Sequence, residues 1–218
     1  MRGKEAGITD RNVRVVELGE DRGDEVAALM ARAFYDDPLM VYACPDPAER
    51  ARWLPWLFRW SVWKGYLFGR TLGTEGRLDG VAATIGPDGG EFTEEHLARF
   101  GYGRGREAMG AGVWDRVTGA LRIVFGPADE ALHSAVPGPH WYLDVIAVDP
   151  DRQGLGVGGS LIRAVNARAD TDGLPVVLFT CQPRNLPLYQ HHGYEIIREG
   201  MEPASGVRWW GFRREPAL

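Results

Sequence analysis

Between Asp149 and Gly159 the chain reads DPDRQGLGVGG, with glycines at 154, 156, 158 and 159, an apolar run before it and helical spacing after it. Glycines at a strand-to-helix junction let backbone N–H groups approach a ligand closely, and a helix N-terminus adds partial positive charge, so the guest such a loop suits is a phosphate. Charge-assisted hydrogen bonds contribute roughly 1.5–3 kcal/mol each, enough for several amides to fix a pyrophosphate without a lysine. Two common phosphate loops fit poorly. A P-loop needs a lysine before its Ser or Thr, and here Ser160 follows Gly159 directly. Gly154, Gly156 and Gly159 do spell the dinucleotide fingerprint, but five residues separate the strand end at Val148 from Gly154, and the next strand ends in FTCQ without a ribose-binding carboxylate.

A second group of chemistry-bearing residues lies in NLPLYQHHGYE, with Asn185, Tyr189, Gly193 and Tyr194. Asn185 reads as a helix N-cap. Tyr189, beside His191 and Gly193, reads as a residue that closes a core. Tyr142 and Asp144 stand two apart on one strand face. Asp144 reads on its own as a carboxylate hydrogen-bonded at a strand kink. His191 and His192 are adjacent and point to different helix faces, and Cys44 and Cys181 form no C-x-x-C pair, so no metal site is expected.

These residues need elements to position them. VRVVEL (13–18) reads as a first strand and GDEVAALMARAF (23–34) as an amphipathic helix. DDPLMVYACPDP reads as a loop. A second helix over 48–64 carries Trp53, Trp56, Leu57, Trp60 and Trp63 at spacings of three and four, with Pro55 in its first turns. YLFGRTL and GVAATIG suggest a hairpin. The stretch 86–139 is Gly-rich and helical by turns, with Pro127 opening a short helix. Then follow strand WYLDVIAV, the glycine loop, helix SLIRAVNARAD, strand PVVLFT, helix LPLYQHH, strand YEIIRE and a closing strand VRWWGFRR.

With 218 residues, 44% of them hydrophobic, the chain suits one sizeable core. No apolar run is long enough for a bilayer and MRGKEAGITDRN lacks a signal-peptide core, so a cytoplasmic protein without a membrane partner is expected. A formal charge of −5 disfavours nucleic acid. Lys4 and Lys64 are the lysines of the sequence, arginine supplying the other basic residues, a usage that points to a GC-rich bacterial genome.

VDPDRQGLGVG resembles motif A of the GNAT N-acetyltransferase superfamily, Q/R-x-x-G-x-G/A after a strand ending V-x-P, with Val148, Pro150, Gln153, Gly156 and Gly158 in the signature places. Asn185, Tyr189, Gly193 and Tyr194 match the family's second signature, and HWYLDVIAVDPDRQGLG looks most like its puromycin-acetyltransferase-like actinobacterial branch. The resemblance implies an α/β (α+β) fold: a mixed central sheet of about seven strands, splayed between the fourth and fifth and flanked by helices. It implies a single domain over 1–218, with an N-terminal strand, helix pair and hairpin at 13–110, an acetyl-CoA-binding core at 140–199 and a C-terminal strand at 200–218. Acetyl-CoA would be the cosubstrate, held by Ile146, Ala147, Val148, Arg152, Gln153, Gly154, Leu155, Gly156, Val157, Gly158, Gly159, Asn185 and Tyr189. Tyr189 would protonate the leaving thiolate, and Asp144 would relieve the acceptor amine of its proton, which an alkylamine of pKa roughly 10.4 retains at neutral pH. Phe179 departs from the pattern, since many relatives carry Glu on that strand. The implied activity is acetyl transfer to a primary amine of a small molecule in a ternary complex. A protein or peptide acceptor, or a non-catalytic acyl-CoA sensor, is the alternative, and a homodimer is possible. Trp60, Trp63, Trp209 and Trp210 near the acceptor entrance suggest an amine with an apolar or aromatic body, and Asp36, Asp37 and Asp46 are the acids that loop offers it.

Overall fold

WYLDVIAV, apolar on both faces, is bound for the interior of a sheet, and in the computed structural model, which describes residues 13–217, it forms the central fourth strand. The N-terminal half runs β1 (Val15–Glu17), α1 (Gly23–Ala33), α2 (Pro38–Ala43), α3 (Pro47–Phe68), β2 (Gly69–Thr74) and β3 (Gly80–Ile85). Three helices follow, α4 (Glu94–Arg99), α5 (Tyr102–Met109) and α6 (Ala111–Ala135). The remainder is β4 (Trp141–Val148), α7 (Val157–Asp172), β5 (Val176–Thr180), α8 (Leu186–His191), β6 (Glu195–Met201) and β7 (Arg208–Arg214). The seven strands form one mixed sheet in the order β1-β2-β3-β4-β5-β7-β6, and β4 and β5 are its parallel neighbours. The stretch 1–12, read above for its lack of a signal-peptide core, and residue 218 lie outside the described residues.

β4 and β5 are neighbours for a short distance only, pairing at Trp141↔Val176 and Tyr142↔Val177. Beyond that point β4 stays paired to β3 as far as Val148, and β5 stays paired to β7 as far as Thr180. Each strand is thus held by its outer neighbour while the inner edges part, as the resemblance implied. Against β3, the register steps from Ala83↔Val145 to Thr84↔Leu143, which leaves Asp144 as the extra residue of a β-bulge. The bulge puts Asp144 and Val145 on the same face. Leu143, Ile146 and Trp141 pack with Leu161, Ile162 and Val165 of α7, whereas Val145 and Ala147 join Val26, Met30, Leu54 and Phe58 of α1 and α3.

Several elements differ from the sequence reading. DDPLMVYACPDP contains α2, because the Asp37 side chain accepts from Leu39 N at 2.9 Å and Pro38 supplies a ready first turn. Pro55 and Pro127 lie inside α3 and α6 instead of opening helices. The carbonyls that each deprives of a partner belong to Ala51 and Ile123, both exposed, where water substitutes for the lost bond. Tyr66, Leu67 and Phe68 continue α3 instead of starting a strand; Gly65 is buried against Thr71 and Ala83, and the Tyr66 hydroxyl donates to Gly19 O at 2.7 Å. α5 was not expected from YGRGREAM, whose glycines are poor helix formers. Packing decides it: buried Gly105 lets the helix lie on Trp56, and Met109 joins Trp53 and Val117.

Behind the glycine loop, α7 is tied to the last strands by a buried polar bond, Tyr194 Oη to the Asn166 side-chain amide at 2.7 Å, with Arg214 clamping Asp170 through two bonds of 2.7 and 3.0 Å. Tyr194→Phe leaves Asn166 short of a partner in the core and should cost about 1–3 kcal/mol. Urea unfolding with an unchanged m-value checks it; a loss below about 0.5 kcal/mol would mean that Asn166 is satisfied without the phenol.

Candidate active site

The glycine loop meets α7 at Gly156, whose φ of 82° and ψ of 0° are left-handed, and Gly154 shares that region with φ 76°. Only glycine takes these angles without strain. α7 runs for 16 residues and no side chain caps its start, so the N–H groups of Val157, Gly158 and Gly159 have no partner within the helix. A guanidinium and an imidazole lie there too. A methyl group built on Gly159 would lie 3.1 Å from His192 Nε2 and 3.4 Å from Arg163 Nη1. The loop is anchored from behind: Gln153 Nε2 donates to Val148 O at 3.3 Å, Arg152 Nε stands 3.5 Å from Asp79, and Arg32 pairs with Asp149 at 2.8 Å. The Arg32 guanidinium holds the Asp149 carboxyl below its ordinary range. Leu155 is exposed at the tip and Val157 is buried beneath it. The assembly is an anchored loop leading to a helix start whose first amides lack intrahelical partners, an arrangement suited to a diphosphate.

Ile146, Ala147 and Val148 line the edge of β4 that has lost β5. Their backbone groups on that edge are a ready template for an extended, amide-bearing ligand. Across the gap, Tyr189 is buried on the α7 side, with its ring 5.3 Å from Phe212 and 6.1 Å from Tyr194. Burial pushes its phenol well above the ordinary range, and the charge of Asp37, on the other side of the sheet, pushes the same way. The hydroxyl is therefore neutral. Asn185 occupies the N-cap position of α8 but, contrary to the sequence reading, makes no side-chain cap. Its backbone is helical, and Pro187 offers no N–H where a cap would bond.

On the opposite face, the Asp144 bulge opens into a cavity of about 1100 Å³ between α3, α5, α6 and the start of β4. Trp56, Trp60, Trp63, Phe100, Tyr102, Trp114, Phe125 and Tyr142 give it aromatic walls, and Asp88, Asp129, Glu130 and Asp144 give it acids. Trp63 stacks on Phe100 with centroids 4.0 Å apart, and Trp60 contacts Phe92 and Tyr102. Burial pushes the Asp144 carboxyl up, against the pull of the Lys64 ammonium 3.8 Å away and of Ser61. Asp144 Oδ2 is buried with no hydrogen-bond partner among the described residues. Burial holds the Tyr142 phenol far above its usual range, and the negative charge of Asp129 pushes it the same way. A cation entering here would find a carboxylate with an open acceptor, in surroundings that strengthen the attraction.

Of the four tryptophans assigned to an acceptor entrance, Trp60 and Trp63 line this cavity, whereas Trp209 and Trp210 do not. Alternation on β7 buries one in the α1 and α3 core and the other in the α7 core, so both are spent on packing. Asp37 and Asp46 are likewise used as N-caps of α2 and α3. The sequence reading missed Asp129, Lys64 and Ser61 around the cavity and Arg163 and His192 beside the glycines. Arg163 lies one helical turn beyond Gly159, a spacing open to view; the others depend on tertiary packing. Cys44 and Cys181 are free and buried. No helix among the described residues is long and apolar enough to cross a membrane.

Residues 110–196 match the family described as acetyltransferase (GNAT) domain. The chain is 24% identical over 172 residues to an uncharacterized N-acetyltransferase of Schizosaccharomyces pombe, covering 78% of this chain and 69% of the relative. Among solved structures, it is similar to a protein from Corynebacterium glutamicum described as histone acetyltransferase HPA2 and related acetyltransferase, with TM-score 0.67, 22% identity, and 95% of this chain and 98% of the other covered. Arylalkylamine N-acetyltransferase 2 from Aedes aegypti aligns with TM-score 0.59 and 12% identity over 95% of this chain and 100% of its own. The two structural likenesses share the fold.

Asp144 carries a prediction for stability. Because its folded-state pKa lies above the ordinary 3.8, the native state binds the proton more tightly, and the carboxylate's contribution to stability falls as pH rises from about 3.8 through the folded value. Asp144→Asn removes that dependence. The stability difference between variant and parent should therefore move in the variant's favour over that window and level off above it. A difference that stays flat, or moves the other way, would mean that Lys64 outweighs burial.

Proposed function

We propose that this chain, which carries an acetyltransferase (GNAT) domain, moves the acetyl group of acetyl-CoA to the primary amine of a small, cationic, aromatic-bodied molecule. One observation carries the reading: the parting of β4 from β5 lies between an uncapped, glycine-lined helix start and an aromatic cavity with a buried carboxylate at its floor. The cradle from Arg152 to Gly159 fits the pyrophosphate of the cosubstrate, and the free edge at Ile146–Val148 fits the amide-bearing pantetheine arm. Their direction brings the thioester to the gap between Asp144 and Tyr189. Asp144 takes a proton from the bound ammonium, the neutral amine attacks the thioester carbonyl directly, and Tyr189 protonates the departing thiolate. Asn185, without a capping duty, is available to the pantetheine arm.

The cavity supports a small acceptor. Its size lies at the upper end of ligand pockets, and its aromatic walls favour flat groups by area burial at roughly 25 cal/mol per Å². Its acids come from α6, β4 and the loop after β3 instead of the loop before α3, and they suit one ammonium group near Asp144. The likeness of the β4 and glycine-loop segment to the puromycin-acetyltransferase-like branch makes aminonucleosides natural members of a test panel. A peptide acceptor would need an open groove, and a sensor would have no use for a proton donor at Tyr189.

Thiol release across an amine panel tests the reading, and arylalkylamines and aminonucleosides should exceed spermidine and aminoglycosides in kcat/KM. Preference for the polycations would overturn the acceptor class. Tyr189→Phe should lower kcat by about 10² to 10⁴-fold with acetyl-CoA affinity by calorimetry nearly unchanged. A kcat within about twofold of the parent would remove Tyr189 from the chemistry.

A further inference from the structure

We propose that Lys64 is an acetyl acceptor of this chain itself, so that its ε-amine is acetylated from acetyl-CoA in the absence of an external amine. The inference rests on the function proposed above, because it takes Asp144 as the group beside which an acceptor amine must sit. Lys64 already holds that place: it lines the aromatic cavity, projects from the last turns of α3, and brings Nζ to 3.8 Å from Asp144 Oδ1. Asp144 sits in the bulge at the mouth of the gap, with its other oxygen buried and without a hydrogen-bond partner among the described residues. Side-chain exposures of 33% for Lys64 and 14% for Asp144 describe a pair at the cavity wall, with the lysine still able to move. An external amine and the Lys64 amine are thus alternative occupants of one position.

The step balances with the thioester as the sole co-reactant. The Lys64 ammonium gives one proton to Asp144, which passes it to solvent. The freed Nζ forms the amide C–N bond at the acetyl carbon as the C–S bond breaks, and the second nitrogen-bound proton goes to the departing thiolate, leaving CoA as the thiol. Acetylation removes the positive charge beside Asp144 and adds a neutral group to the cavity where an acceptor's amine would enter. The product is therefore a self-blocked form that accumulates when acetyl-CoA is plentiful and the acceptor is scarce. An acceptor that displaces Lys64 from Asp144 both competes with this reaction and protects the enzyme from it.

The test is to incubate the folded chain with acetyl-CoA alone and follow intact mass and peptide maps. The mass should rise toward one acetyl increment per chain, mapped to Lys64 and absent in Lys64→Arg. An acceptor amine held at ten times its dissociation constant should slow the labelling about tenfold, since only about a tenth of the sites then leave Lys64 in place. Label on Lys4 or the amino terminus instead of Lys64, or Lys64 labelled equally fast in the urea-unfolded chain, would overturn the proposal. So would an unlabelled Lys64 in a preparation that acetylates free amines, an outcome that leaves the proposed function standing. If neither Lys64 nor any amine is acetylated, both readings fall together.

Discussion

The parting of β4 from β5 is the constraint to which every other feature answers. Two parallel strands that stop pairing after Tyr142 and Val177 leave a row of backbone donors and acceptors without partners at the centre of a sheet, where such groups are costly. The fold tolerates this because each strand keeps its outer neighbour, β3 on one side and β7 on the other. The exposed inner edge then becomes an asset, since a ligand able to pair with it recovers the lost hydrogen bonds. The bulge at Asp144 belongs to the same event. It turns β4 at the point of parting and delivers a carboxylate to the opening.

The two faces of the sheet then divide the work by their chemistry. On the α7 face, glycines give up side chains so that amides and a helix dipole are presented, with the Arg163 guanidinium adding charge near Gly159. On the α3 face, tryptophans and phenylalanines build walls, and the Asp144 carboxylate faces Lys64 across 3.8 Å. One side suits an anion and the other a cation with an apolar body. Tyr189 is buried on the first side, where the negative charge of Asp37 adds to burial in keeping its phenol protonated. In the proposed reaction a thioester and an amine would bridge the two sides.

How much of this was legible in the sequence depended on whether the signal was local. The cradle was, because φ near +80° at Gly154 and Gly156 demands glycine and a helix start declares itself by spacing. β4 and the glycine loop were read almost to the residue. The bulge was not legible, since it exists only in the register against Ala83 and Thr84, and without it Asp144 is simply one alternating residue of a strand. The cavity was half legible. Trp60 and Trp63 announce an aromatic wall, but Asp129 and Phe125 arrive on α6, a helix that continues through Pro127 because the carbonyl it orphans faces water. The hairpin tryptophans misled for the complementary reason: alternation says that two faces exist, and only the sheet order says that both are covered.

In the proposed function acetyl-CoA occupies the gap and the cradle together. Amide hydrogen exchange with and without acetyl-CoA measures this directly. New protection is expected at Ile146–Val148, where β4 gains a pairing partner, and at Val157–Gly159, where helix-initial amides gain an anion, with the walls of the aromatic cavity little changed until an amine is added. Protection confined to α5 and α6, with the β4 edge and the start of α7 exchanging as in the free protein, would contradict it.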